Sequence, residues 1–243
     1  MRPWSYCISA AIGGLLATTG LPAAGRDINQ VQTLTQPEFR LLSEDLGAAA
    51  SYKPLTPTEP LGTTGFDVGV AATTTRLQHP EVWDKASGGD FGSRLTLPSV
   101  RFNKGLPYGF DFGVMAAAAA STDARLWGGE VRYALVEGST VLPAIGLRGS
   151  YTRMTGIDQL DLNTRGADVS ISKGFLFVTP YAGWGRVWTE ATPNGVAGLS
   201  RESFSLPKSF IGVNFNFGIV NVAVETDRTG DAHTWGANVG WRF

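Results

Sequence analysis

From Thr64 to the last residue, apolar and polar side chains change places at every second position, segment after segment. The closing stretch, HTWGANVGWRF, shows the pattern: His233, Trp235, Ala237, Val239, Trp241 and Phe243 fall on one face, and Thr234, Gly236, Asn238, Gly240 and Arg242 on the other. Successive side chains of a strand point to opposite sheet faces, so a period of two means strand. The alternation predicts strands over 64–77, 94–104, 108–119, 125–136, 141–153, 159–172, 175–188, 205–217, 220–227 and 233–243. An extended stretch at 47–55 would be an eleventh, and two strands from the N-terminal region would make twelve.

The connections divide into two kinds. Gly218-Ile219, KGF at 173–175, EGST at 137–140 and GLP at 105–107 are tight; 78–93 and 190–203 are long. Gly at the first position of a two-residue turn suits a type II′ hairpin. Tight turns at one end and longer loops at the other are the habit of membrane barrels. The hairpins suggest registers that oppose Asn216 to Asn221, Asn221 to Asn238, Arg101 to Asp111, and Glu130 to Arg148.

One face carries Tyr108, Trp127, Tyr151, Trp235 and Trp241, which suit interfacial girdles. The other is rich in glycine and holds a polar set: Asp67, Arg101, Asp111, Glu130, Arg132, Arg148, Asn214, Asn216, Asn221, Glu225, Asn238 and Arg242. Small side chains and charges of both signs fit a narrow barrel interior better than a solvated sheet. The fold expected is all-β: a closed antiparallel transmembrane β-barrel of ten strands, twelve as the alternative, over 63–243. A lipid-embedded sheet must close on itself, because unpaired backbone groups find no water there.

Residues 26–62 form a periplasmic or lumen-inserted segment in this reading. Within it TQPEFRLLSEDL reads as a short helix, with Thr35 as N-cap, Pro37 near the first turn, and apolar Phe39, Leu41, Leu42 and Leu46. No other stretch reads as convincingly helical. Residues 1–25 read as a signal peptide: Arg2 leads an uncharged run, ISAAIGGLLATTGL, and small residues follow up to Ala24 and Gly25. The one cysteine, Cys7, lies inside it, so the processed chain has no disulfide.

The chain's 20 basic and 21 acidic residues cancel, which argues against a nucleic-acid partner. No metal-spaced cluster, phosphate loop or dinucleotide fingerprint occurs, so no cofactor and no metal are expected. His79 lies in the 78–93 loop beside Pro80 and Glu81 and reads as a solvated loop residue. His233 sits near Asp227, Asp231 and Thr234, the makings of an oriented base.

Five segments, LGAAASYKPLTPTEPLGTTGFDVGV, LWGGEVRYALVEG, RGSYTRMTGIDQLD, SISKGFLFVTPYAGWGRVW and NFNFGIVNVAVETDRTGDA, resemble an uncharacterised family of small proteobacterial outer-membrane β-barrel proteins. The resemblance covers roughly residues 36–243 and implies the outer membrane of a Gram-negative bacterium, with no activity attached. The chain is more distantly similar to the long-chain fatty-acid transporter family, whose larger barrel holds an N-terminal hatch. The C-terminal strand, through Trp241 and Phe243, resembles the signal read by the barrel-assembly machinery.

The expected role is structural, adhesive, or transport of a small solute or lipid, without enzymatic activity, with outer-membrane lipids and the assembly machinery as partners. Two alternatives stay open: a lipid-modifying or proteolytic barrel enzyme using His233 at the extracellular rim, and a soluble periplasmic ligand-binding barrel.

Overall fold

The computed structural model describes residues 27–120 and 122–243. The expected signal peptide, with Cys7, lies outside them. Helix α1 (Gln36–Ala50) comes first, then β1 (Phe66–Arg76), α2 (Pro80–Ser87), β2 (Arg94–Gly105), β3 (Phe110–Ala118), β4 (Arg125–Val136), β5 (Ala144–Thr155), β6 (Leu160–Ser172), β7 (Val178–Pro193), β8 (Glu202–Phe217), β9 (Val220–Thr229) and β10 (Ala232–Arg242). Each strand pairs antiparallel with its neighbours in sequence, and β1 pairs with β10, so the sheet is a closed barrel of ten strands. The seam ends with Phe66 and Phe243 exchanging backbone hydrogen bonds of 2.8 and 2.9 Å.

The connections at 106–109, 137–143, 173–177 and 218–219 gather at one end, with the start of β1; the loops, including 77–93 and 194–201, gather at the other. We call these the turn end and the loop end. Gly218, at φ +73°, supplies the left-handed residue that the tightest hairpin requires.

The stretch 47–55 is no strand. Residues 47–50 complete α1, and 51–65 run on without joining the sheet. The loop helix α2 is a second departure from the sequence reading. Its eight residues are too few to show a period, but Pro80 opens it, Gly88 at φ +71° closes it, and Val82, Trp83 and Ala86 bury one face.

Three of the suggested registers shift. Asn216 does face Asn221. The Gly230-Asp231 turn then sets Asn221 opposite Gly240, and Asn238 opposite Ala223. The β2–β3 turn centres on Pro107–Gly109, with Tyr108 at φ +63°, and places Arg101 opposite Met115. A bulge after Ala134 and the 137–143 connection set Glu130 opposite Ser150.

Outward positions along the strands expose large apolar side chains: Val70, Val100, Trp127, Trp184, Ile211 and Trp235 are all at least half exposed. Inward positions are buried, and the bore between them is full.

Candidate functional site: the filled bore

Two kinds of filling occupy the barrel. At the loop end, α1 enters with Thr35 as its cap, the Thr35 N–H donating to Glu38 Oε2 at 2.7 Å. Phe39, Leu42 and Leu46 are buried against inward-facing Leu95, Leu97, Leu126, Met154, Leu160 and Leu162, with Trp83 and Phe91 of the 77–93 loop closing over them. Gly47 passes so close to the wall that a Cβ there would lie 2.6 Å from Thr189 Oγ1.

Asp45 fastens this cap. Its carboxylate accepts from Gln78 N at 3.0 Å, His79 N at 3.0 Å and Trp83 Nε1 at 3.1 Å. Burial raises its pKa, against the backbone donors of His79 and Gln78 that pull it down. His79 is therefore part of the cap, its Nδ1 lying 3.6 Å from Asp45. At the rim, Lys85 donates to Glu38 Oε2 at 2.7 Å. That bond, with those from Thr35, lowers the Glu38 pKa to about 2.

Beyond α1 the chain descends the bore as a single thread that joins neither helix nor sheet, turning through Leu55 at φ +53°, and the wall grips it in order. Thr152 Oγ1 donates to Ala50 O at 2.9 Å. Lys208 Nζ donates to Tyr52 O. Arg101 Nη2 donates to Lys53 O at 2.7 Å, and Lys53 Nζ pairs with Asp227 at 2.7 Å. Glu225 Oε2 accepts from Leu55 N at 2.9 Å and from the Tyr181 hydroxyl at 3.0 Å. Arg132 Nη1 donates to Thr56 Oγ1 and to Pro57 O, both at 3.0 Å. Thr58 N donates to Ser172 Oγ at 3.1 Å, and its hydroxyl to Ser170 Oγ at 2.9 Å. Leu61 N donates to Asp111 Oδ1 at 3.1 Å. The thread then turns at the turn end and becomes β1.

The anchors are themselves braced around the wall. Asp111, Arg132, Glu130, Arg148 and Asp168 form one ion-pair chain, with separations of 3.0, 3.5, 3.3 and 3.0 Å. Arg148 thus reaches Glu130 diagonally, without facing it. Below, Asp67 Oδ2 accepts from Asn221 Nδ2 at 2.8 Å and Arg242 Nε at 3.0 Å, and Asn214 Nδ2 donates to Asn216 Oδ1 at 2.8 Å. Asn238 is buried over Gly69, where a Cβ would meet its Oδ1 at 2.7 Å. Trp241 and Phe243 point outward, with Phe243 stacked on Phe66 at 5.0 Å.

Sequence reasoning missed Lys53, Asp168, Lys208 and Asp227. Asp227 lies one step of two past Glu225 and Lys208 three such steps before Asn214, so carrying the inward phase along both strands would have found them. Lys53 carries no such signal, because its segment has no period.

Of the residues grouped with His233 in the sequence, Asp227 and Thr234 are buried inside and Asp231 pairs with Arg228 at 3.2 Å. His233 is exposed on the outer face, whereas Asp227 is buried inside with Lys53. Among the described residues, no group of His, Cys, Asp and Glu could hold a metal ion.

No family model matches the chain, and no curated protein matches it. Among solved structures it is similar to the N-terminal β-barrel domain of Pseudomonas aeruginosa OprF, with TM-score 0.39 and 14% identity over 73% of this chain and 97% of that one. It is also similar to the KdgM porin in complex with disordered oligogalacturonate, with TM-score 0.38 and 12% identity over 73% and 99%. A third is Ail, the attachment invasion locus protein of Yersinia pestis, with TM-score 0.31 and 14% identity over 74% and 99%. At these scores no activity carries over from any of them.

Proposed function

We propose that the protein is a non-enzymatic outer-membrane β-barrel whose bore is stoppered by its own N-terminal segment. Its role on this reading is structural or adhesive, through the cap held at the loop end. The observation that carries it is the filled bore. Two interior cavities, beside Lys53 and beside Thr58, measure about 10 Å³ each, room for at most one water apiece. Solute passage would require residues 51–65 to leave, breaking the buried Lys53–Asp227 pair and the Arg132 grip.

The outer face supports the membrane setting. A soluble protein rarely exposes a contiguous apolar patch beyond a few hundred Å², and here the exposed apolar side chains ring the barrel. The Phe66–Phe243 closure supports Trp241 and Phe243 as the outward signal offered to the assembly machinery.

The test is twofold. The chain should fractionate with outer membranes and run as a compact, heat-modifiable band. In a planar bilayer the whole chain should be electrically silent. Steady stepwise conductance would contradict the stopper, and a detergent-free soluble monomer would contradict the membrane setting.

A further inference from the structure

The outer wall of β9, β10, β1 and β2 is ordered in horizontal rows. At the loop end Arg94 faces Arg76, Arg76 faces His233, and His233 faces Arg228, so four basic side chains stand directly opposite one another on adjacent strands. Arg76 and Arg94 are like charges directly opposite, an arrangement that destabilises a sheet. Among the described residues, Arg228 alone of the four has an acidic partner, Asp231 at 3.2 Å. The side chains of Arg76, Arg94 and His233 have no hydrogen bond or ion pair among the described residues. A cost left uncompensated among the described residues points to a compensating group beyond them.

Two further observations say what that group is. The row borders a hollow of about 480 Å³ lined by Thr74, Arg76, Arg94, His233 and Trp235. Beneath it the wall turns apolar: Ala72 with Ala237, Val70 with Val100 and Val239, then Val68 with Phe102 and Trp241. From Arg76 down to Phe66 is ten steps along the eleven residues of one strand. At the usual rise and tilt this is about 26 Å along the barrel axis, close to the height of a membrane barrel's apolar band, about 25 Å. The cations therefore stand where headgroups meet hydrocarbon, at the loop-end surface.

We propose that this row docks the phosphate-bearing headgroup of a membrane lipid, with the lipid's acyl chains lying down the apolar strip below. The inference rests on the membrane reading above. Arginine suits the task, since its planar fork engages phosphate oxygens in pairs and cannot lose its charge. A lipid with two phosphates matches the width of the row better than a singly charged one. The apolar strip that begins below the Thr74, Thr96 and Trp235 row under the cations favours a lipid over a free anion.

The test uses the folded chain in neutral detergent micelles, with bound molecules counted by native mass spectrometry. The probes are lipid A, phosphatidylcholine and inorganic pyrophosphate. Lipid A should be retained at concentrations at least about tenfold below those needed for phosphatidylcholine. The double variant R76Q/R94Q should lose that preference, while R165Q, on the opposite wall, should keep it.

Retention unchanged in R76Q/R94Q would overturn the proposal, and so would pyrophosphate binding as tightly as lipid A, which marks a free-anion site. Without lipid, R76Q should be no less stable than the parent, because the mutation removes repulsion; a large destabilisation would make the row structural and overturn the proposal by a second route. Flotation with phosphatidylcholine vesicles separates the two levels. A chain that fails to insert refutes the membrane reading, whereas one that inserts without preferring lipid A refutes only the docking site.

Discussion

The two halves of the bore solve one problem in opposite ways. At the loop end the filling is a helix, at the turn end an irregular thread. A helix satisfies its own backbone, so α1 asks of the wall only apolar contact, and inward positions there are Leu95, Leu97, Leu126, Met154, Leu160 and Leu162. A lone irregular chain satisfies few of its own backbone groups, and a buried unpaired N–H or C=O is costly. The wall around residues 51–61 therefore supplies donors and acceptors: Arg101, Arg132 and Lys208 to carbonyls, Glu225, Ser172 and Asp111 to N–H groups. The charge inside this barrel follows the conformation of what fills it, and a polar lining need not mean a pore.

The contrast can be tested from both sides. The largest effect is expected in the thread's half. Asp227→Ala leaves the Lys53 and Lys208 ammonium groups buried without their shared counter-charge, a loss of about 3–5 kcal/mol. Its measure is the urea midpoint of refolded protein in micelles. In the helix's half, Leu46→Ala should cost about 2–5 kcal/mol by opening a cavity, while Leu46→Met, which conserves volume, should cost less than about 1.5 kcal/mol. Equal costs for Ala and Met would break the picture of a tightly packed cap.

Asp45→Ala strips a shared acceptor from Gln78, His79 and Trp83. The expected loss is about 1–3 kcal/mol, read as faster proteolysis of the 77–93 loop with the barrel intact.

The smallest effect is one of pH. Glu38 titrates at about 2 in the folded chain against 4.5 ordinarily, so its folded form holds the charge more strongly. Its contribution is complete above 4.5 and fades as pH falls towards 2. Protection factors for amide exchange at the α1 N-terminus should fall over that window, and in Glu38→Gln this pH dependence should disappear.

What was legible in the sequence was whatever repeats. Each strand came from alternation, and closure from the pairing that lipid or burial demands. Registers were less legible, because Tyr108 in a left-handed conformation and the bulge after Ala134 shift the pairing without changing the alternation. The inward leucines of the loop end shared a phase with the polar set, so that face looked more uniformly polar than it is. Helix α2 was too short for its period to show, and Trp83 and Val82 bury its inner face in the same cluster as α1. The thread was the least legible part. SYKPLTPTEPLGTTG has neither period, and its place is dictated by partners over a hundred residues away, such as Glu225 for Leu55 and Ser170 for Thr58.

The central claim is that residues 51–61 lie inside the barrel. The Thr58 and Ser170 hydroxyl oxygens are 2.9 Å apart across the bore. In a chain with Cys7 changed to Ser, the pair Thr58→Cys and Ser170→Cys should close an intramolecular disulfide on mild oxidation, visible as a reducible shift of the unfolded band. Free thiols at both positions in a folded, heat-modifiable barrel would contradict the account.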